Sequence, residues 1–128
     1  MTTEFIMDCS AVLAILFGES GQDRAAAALK DARISTVNLA EVVTKLIERG
    51  ATPSDVEGRL STLALNIADF DGDLAIQAGL LRAATRHKGL SLGDRACLAL
   101  AIREGLPVMT TDRAWSDLDL PVEVVLIR

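Results

Sequence analysis

The chain has 128 residues, half of them apolar, and a formal net charge of −5. That length suits one domain spanning residues 1–128, with enough apolar material to bury roughly 70% of the surface its unfolded chain exposes. An acidic chain with no Tyr, three Phe and one Trp is a poor generic nucleic-acid coat, which would be basic and well supplied with stacking platforms.

Phe5-Ile6-Met7 reads as a first strand, followed by a short helix from about Ser10 to Phe17 that Gly18 stops. The alanine-rich run from Gln22 to Asp31 reads as helix, and Arg33 to Thr36 as a second strand. Asn38 to Arg49 is expected to be a helix ended by Gly50. Thr52, Pro53 and Asp55 carry an N-cap, a first-turn proline and a reciprocal cap, which starts a helix running to about Leu63. Leu65 to Ala68 reads as a third strand. Asp73 to Lys88 is expected to be one long helix whose last turn, Arg86-His87-Lys88, complements its dipole before Gly89 ends it. A helix from Asp94 to Glu104 closes at Gly105, and Val108-Met109-Thr110 and Val122 to Ile127 supply the last two strands. Strands alternating with helices predict an α/β domain with a parallel sheet.

Two cysteines, Cys9 and Cys97, make no disulfide framework, and nothing has zinc-ligand spacing. The opening MTTEFIMDCS lacks a basic segment followed by a long apolar one, and no apolar run approaches a membrane span. A reduced, cytoplasmic setting without a membrane is therefore expected.

Four acids stand out: Asp8, Glu41, Asp94 and Asp112. Three lie past a strand-like run and the fourth opens an apolar helix. Each also has a purely structural account. Asp8 can turn the first strand into its helix. Glu41, three residues after Asn38, fits a variant capping box, projects away from the Leu39, Val42, Val43 and Leu46 arc, and has Lys45 four residues on. Asp94, three residues after Ser91, fits another cap, but the helix it opens is apolar nearly all round and hence buried. A carboxylate at its mouth needs a partner. Asp112 can cap Ala114 to Leu118, with Asp117 close enough in sequence to share or replace its role.

The set is harder to explain than its members. In an open parallel sheet the strand ends gather along one edge, where ligands bind. Four carboxylates meeting there repel one another unless a cation lies between them. Hard cations such as Mg²⁺ or Mn²⁺ take carboxylate oxygens and water with little need for His or Cys. The single histidine, His87, sits in a basic helix end and reads as a surface residue. Acids without histidine point to metal-assisted attack of water on a phosphodiester, in which the metal lowers the water pKa and neutralises phosphate oxygens.

With these residues in view, the chain resembles a PIN-domain ribonuclease of the VapC type, the toxin of a bacterial toxin–antitoxin pair. The segments that carry the resemblance are Met7-Asp8-Cys9-Ser10-Ala11, Ser35-Thr36-Val37-Asn38-Leu39-Ala40-Glu41-Val42, the stretch from Leu90 through Asp94 to Ala101, and Met109-Thr110-Thr111-Asp112-Arg113-Ala114-Trp115. They span essentially the whole length. The resemblance implies a PIN-like three-layer α/β/α domain with a central parallel five-stranded sheet in order 3-2-1-4-5. It implies RNA cleavage dependent on Mg²⁺ or Mn²⁺, with Asp8, Glu41, Asp94 and Asp112 as the catalytic, metal-binding quartet. Ser10, Asn38, Thr110 and Thr111 map to its supporting polar positions. It further implies a homodimer, or a larger toxin–antitoxin assembly, and a VapB-type antitoxin that pushes a basic side chain into the acidic site.

Within that expectation Asp8 and Asp94 hold the principal metal, while Glu41 and Asp112 act through water, complete a second metal position or orient the attacking water. Lys45, Arg49, Arg82, Arg86 and Lys88 are candidate phosphate contacts or ordinary solvated helix faces. Arg95 and Arg113 either brace the acids or reach a phosphate. Trp115 reads as core, and Cys9 and Cys97 as small buried apolar residues. The rival reading is a receiver-like, Mg²⁺-binding phosphoacceptor domain. It wants paired acids after the first strand and a Lys after the fifth, whereas Asp8 stands alone and the chain ends at Arg128 without that Lys.

Overall fold

β-rich triplets and helices alternate along residues 4–128, the part of the chain described by the computed structural model. Residues 1–3, the start of the stretch read above for a leader, lie outside the described residues. Strand β1 (Phe5–Met7) leads into α1 (Cys9–Leu16) and α2 (Gln22–Ala28). β2 (Ala32–Ser35) follows, then α3 (Thr36–Glu48) and α4 (Pro53–Leu63). β3 (Asn66–Ala68) precedes α5 (Gly72–Leu80) and the short α6 (Arg82–Thr85), and α7 (Leu92–Glu104) comes before β4 (Val108–Thr110) and β5 (Val124–Leu126).

The five strands form one sheet in the order β3-β2-β1-β4-β5, all parallel, as expected. β1 lies at the centre. Its register sets Ile6 opposite Val108 and Met7 opposite Met109, so the carboxyl ends of β1 and β4 finish together.

Successive strand residues face opposite sides of a sheet, and the core divides accordingly. Met7, Ile34 and Met109 pack with Val12, Val42 and Leu46 of α1 and α3 on one face. Ile6 and Val108 pack with Leu74, Leu98, Leu100 and Trp115 on the other. α7 is buried from Ala96 through Ala101, which explains its lack of a polar face. Trp115 is fully buried in that second core, the core role expected for it.

Two elements depart from the sequence expectation. The helix expected over 73–88 is broken into α5, α6 and a 3₁₀ turn, Arg86–Lys88. At the break the Arg95 guanidinium of α7 donates to the Ala78 carbonyl at 2.9 Å, the carbonyl an unbroken helix offers to the N–H four residues on. The Thr85 hydroxyl donates back to the Leu81 carbonyl at 2.8 Å, a contact that bends helices. The other departure is at α3. It begins at Thr36, with Ser35 as N-cap accepting from the Val37 N–H at 3.2 Å. β2 thus enters α3 with no intervening turn, and Asn38 is an interior helical residue instead of the cap.

Candidate metal centre

The four acids converge. Asp8, Glu41, Asp94 and Asp112 all line a cavity of about 380 Å³, together with Ser10 and Thr111. β1 supplies Asp8 directly from its carboxyl end, beside the end of β4, with the Asp8 N–H donating to the Met109 carbonyl at 2.9 Å. α3 brings Glu41 in from one side and the first turn of α7 brings Asp94. Asp112 follows β4 and caps the 3₁₀ turn Arg113–Asp117, accepting from the Ala114 N–H at 3.0 Å.

Asp8 is the buried member, only 5% exposed. Its Oδ2 accepts from the Ser10 hydroxyl at 2.7 Å and from the Thr110 hydroxyl at 3.0 Å. The Ser10 Oγ in turn accepts from the Thr111 N–H at 3.0 Å, and the Thr110 Oγ1 from the Asp112 N–H at 3.1 Å. One hydroxyl network therefore fixes Asp8 and the segment that carries Asp112. Both hydroxyls land on Oδ2, so Oδ1 is the oxygen this network leaves for another ligand. Burial, opposed by the hydroxyl bonds and reinforced by Asp94 and Glu41, pushes the Asp8 carboxyl up to about 6.

Glu41 is held differently. The Asn38 Nδ2 donates to Glu41 Oε1 at 2.8 Å and to the Gly93 carbonyl at 3.0 Å. Both partners are acceptors, which fixes the orientation of the amide. Asn38 is fully buried, and its Oδ1 has no partner among the described residues. Burial raises the Glu41 carboxyl above its usual range; Asn38 works against the rise and Asp94 adds to it. The expected Glu41–Lys45 pair is not the one formed, since Lys45 lies 3.7 Å from Glu48. Asp94 completes a capping box with Ser91, its Oδ2 accepting from the Ser91 N–H at 2.9 Å.

One residue of the site was missed in the sequence. A Cβ at Gly93 would overlap the Glu41 carboxylate, so only glycine lets α3 and α7 approach here. The Leu92-Gly93-Asp94 triplet marks the place, but nothing in it names Glu41 as the neighbour. Three other expectations resolve outward. Asp117 does not line the cavity; it pairs with Lys88 at 2.6 Å, and that contact holds its carboxyl below the usual range. Arg95 turns to α5 and braces no acid, while Arg113 is exposed. Cys97 is buried and Cys9 half-buried; burial, then Asp8 and Glu41, push the Cys9 thiol up to about 12, and burial, then Asp8 and Asp94, raise the Cys97 thiol well above its usual range, which favours the protonated thiol over the reactive thiolate.

The donor chemistry fits a hard divalent cation. Four carboxylates share one cavity, two of them, Asp8 and Glu41, are raised by burial and, beyond that, by neighbouring carboxylates, Asp94 in both cases, and a bound cation offsets both causes. Among the described residues no three His, Cys, Asp or Glu side chains stand close enough, as placed, to hold a metal together. The acids line the cavity as an open ring.

The sequence matches the PIN domain family over residues 5–120. Several solved structures share the fold. A toxin–antitoxin complex from Klebsiella pneumoniae is 19% identical, with a TM-score of 0.74 over 98% of each chain. VapBC-5 from Mycobacterium tuberculosis, a member of the VapBC family of toxin–antitoxin systems, is 25% identical, with a TM-score of 0.64 over 97% of this chain and 98% of that one. VapC20 from Mycobacterium tuberculosis, a toxin that cleaves the sarcin–ricin loop, is 18% identical, with a TM-score of 0.72 over 94% of this chain and 99% of that one. A search among curated proteins finds no match. The chain belongs to the PIN domain family, and this membership displaces the receiver-like reading.

Proposed function

We propose that the protein is a VapC-type toxin, an endoribonuclease that uses Mg²⁺ or Mn²⁺ and is restrained by a VapB-type antitoxin. The observation that carries this reading is the single cavity lined by Asp8, Glu41, Asp94 and Asp112. Its support from relatives is that the structural neighbours include toxin–antitoxin complexes and an RNA-cleaving toxin. A homodimer is part of the proposal. No helix of the described residues is long and apolar enough to cross a membrane, and a cytoplasmic setting is proposed with the rest.

In this reading Asp8 Oδ1 and Asp94 hold the cation, with Ser10 and Thr110 fixing Asp8 from behind. When bound, a divalent cation lowers the pKa of water and neutralises phosphate oxygens. Glu41, clamped by Asn38 against Gly93, and Asp112 at the rim orient the attacking water and accept its proton as the phosphodiester bond breaks. The ring of acids also suits a basic side chain, which would neutralise it without chemistry and so inhibit it.

The test is cleavage of cellular RNA by purified protein with Mg²⁺ or Mn²⁺, with RNA ends mapped after induced expression. Asp8→Asn should lower the rate about a thousandfold or more, the scale of several kcal/mol of lost transition-state stabilisation. Asp117→Asn should leave it within about twofold, as expected of an exposed ion pair. Undiminished cleavage by the Asp8→Asn protein would sink the assignment.

A further inference from the structure

The acid cavity is one end of a longer groove. On its α3 side stand Glu41, Lys45 and Arg49, four residues apart, so they form one ridge along the helix. On its α1 side stand Cys9, Leu13 and Phe17, with the same spacing. Leu13 and Lys45 line both the acid cavity and an adjoining one of about 380 Å³; Phe17 and Arg49 line that one and a third of about 590 Å³. The third cavity also takes Arg59, Ser54 and Thr62 from α4.

The two arginines at the far end are held in place without a carboxylate. The Arg49 guanidinium lies 4.2 Å from the Phe17 ring centroid, and Arg59 donates to the Leu16 carbonyl. Among the described residues neither makes an ion pair. Acids line the groove too: Glu48 beside Lys45 and Glu19 beside Arg128, both at 3.7 Å, and Asp55 in the Thr52 capping box, its carboxyl held below the usual range by the cap and, to a lesser degree, by Arg59. Two guanidinium groups that line one cavity, each held by an uncharged neighbour and neither in an ion pair among the described residues, can take an anion between them.

Position identifies the anion. From Glu41 to Arg49 the helix advances about 12 Å, at 1.5 Å per residue. A chain of net charge −5 repels a polyanion overall, so a strand whose scissile phosphate sits among the acids must be gripped by local cations beyond them. We propose that the α1–α3 groove carries single-stranded RNA away from the cleavage cavity. Arg49 and Arg59 clamp a phosphate a short run of nucleotides beyond the acids. This inference rests on the RNA-cleaving reading above.

The test uses full-length protein carrying Asp8→Asn, titrated with mixed-sequence single-stranded RNA at rising salt. Adding Arg49→Gln and Arg59→Gln should weaken binding about tenfold and flatten the salt slope by about 0.7, the value for one lost phosphate contact on a single strand. Arg49→Lys with Arg59→Lys should restore most of the slope. Circular dichroism of each variant establishes that it is folded. The inference is overturned if the folded Gln variant binds RNA with the parent's affinity and slope. It is also overturned if that variant loses only its binding of polyglutamate, which would make the groove a site for an acidic peptide. Absence of cleavage by the unsubstituted protein would instead count against the proposed function.

Discussion

Asp8 and Asp94 face the same cavity and are positioned by opposite devices. Asp8 stands at a strand end, almost fully buried, and its carboxylate receives only neutral hydroxyls. Asp94 is the third residue of α7, partly exposed, and its carboxylate completes a backbone cap. The first acid therefore burdens the fold with a desolvated charge. The second supports the fold by satisfying a helix terminus. A shared function does not imply a shared bearing on stability, and in this site the two are separable.

Substituting each acid sharpens that contrast. The largest effect is expected at Asp8. Its folded carboxyl titrates near 6 against an ordinary value of 3.8, so the fold binds this proton more tightly than the unfolded chain does. The penalty is absent below the unfolded value, grows as pH rises toward the folded one, and is complete above about 6. Asp8→Asn should then stabilise the metal-free protein at pH 7 by up to ~3 kcal/mol, at 1.36 kcal/mol per unit. Urea midpoints in chelator across pH 4 to 7 read this directly; equal pH slopes for the two proteins would refute it. Added Mg²⁺ should narrow the gap by stabilising the unsubstituted protein more.

Gly93→Ala comes next. Its methyl group displaces the Glu41 carboxylate, and a misplacement of about 1 Å costs on the order of a hundredfold in rate. Steady-state cleavage should show the loss in kcat, with α7 helicity retained. An unaffected rate would mean that Glu41 does not act from the position observed here. The smallest effect is the stability change at Asp94. Asp94→Ala should destabilise the chain by about 1 kcal/mol through its cap, opposite in sign to Asp8→Asn. A shift in the same direction for both would break the comparison.

The alternation of strands and helices was legible in the sequence because it depends on local pattern, and the sheet order followed from the family resemblance; that the four acids share one cavity matches the expectation that they converge. Apolar triplets, caps at Thr52 and Ser91, and acids just past strands all read without tertiary knowledge. What was not legible came from contacts between distant segments. Asn38 looks like a cap because Asn favours caps, yet Ser35, three residues earlier, takes that role, and Asn38 instead donates to the Gly93 carbonyl of α7. The break after Leu80 depends on Arg95, which reaches in from α7. Asp117 could be weighed against Asp112 only once Lys88 was seen to claim it.

The bonds between Ser10 and Thr111 and between Asp8 and Thr110 join positions about a hundred residues apart. β1 occupies the middle of the sheet, and its edge toward β4 is paired only when Ile6 and Met7 meet Val108 and Met109. Such long-range pairing forms late, because loop closure must precede it. A chain in which that pairing has not yet formed thus carries Asp8 without an assembled acid ring. The acid cavity is therefore among the last features of the fold to be completed, since it closes only when β1 and β4 pair.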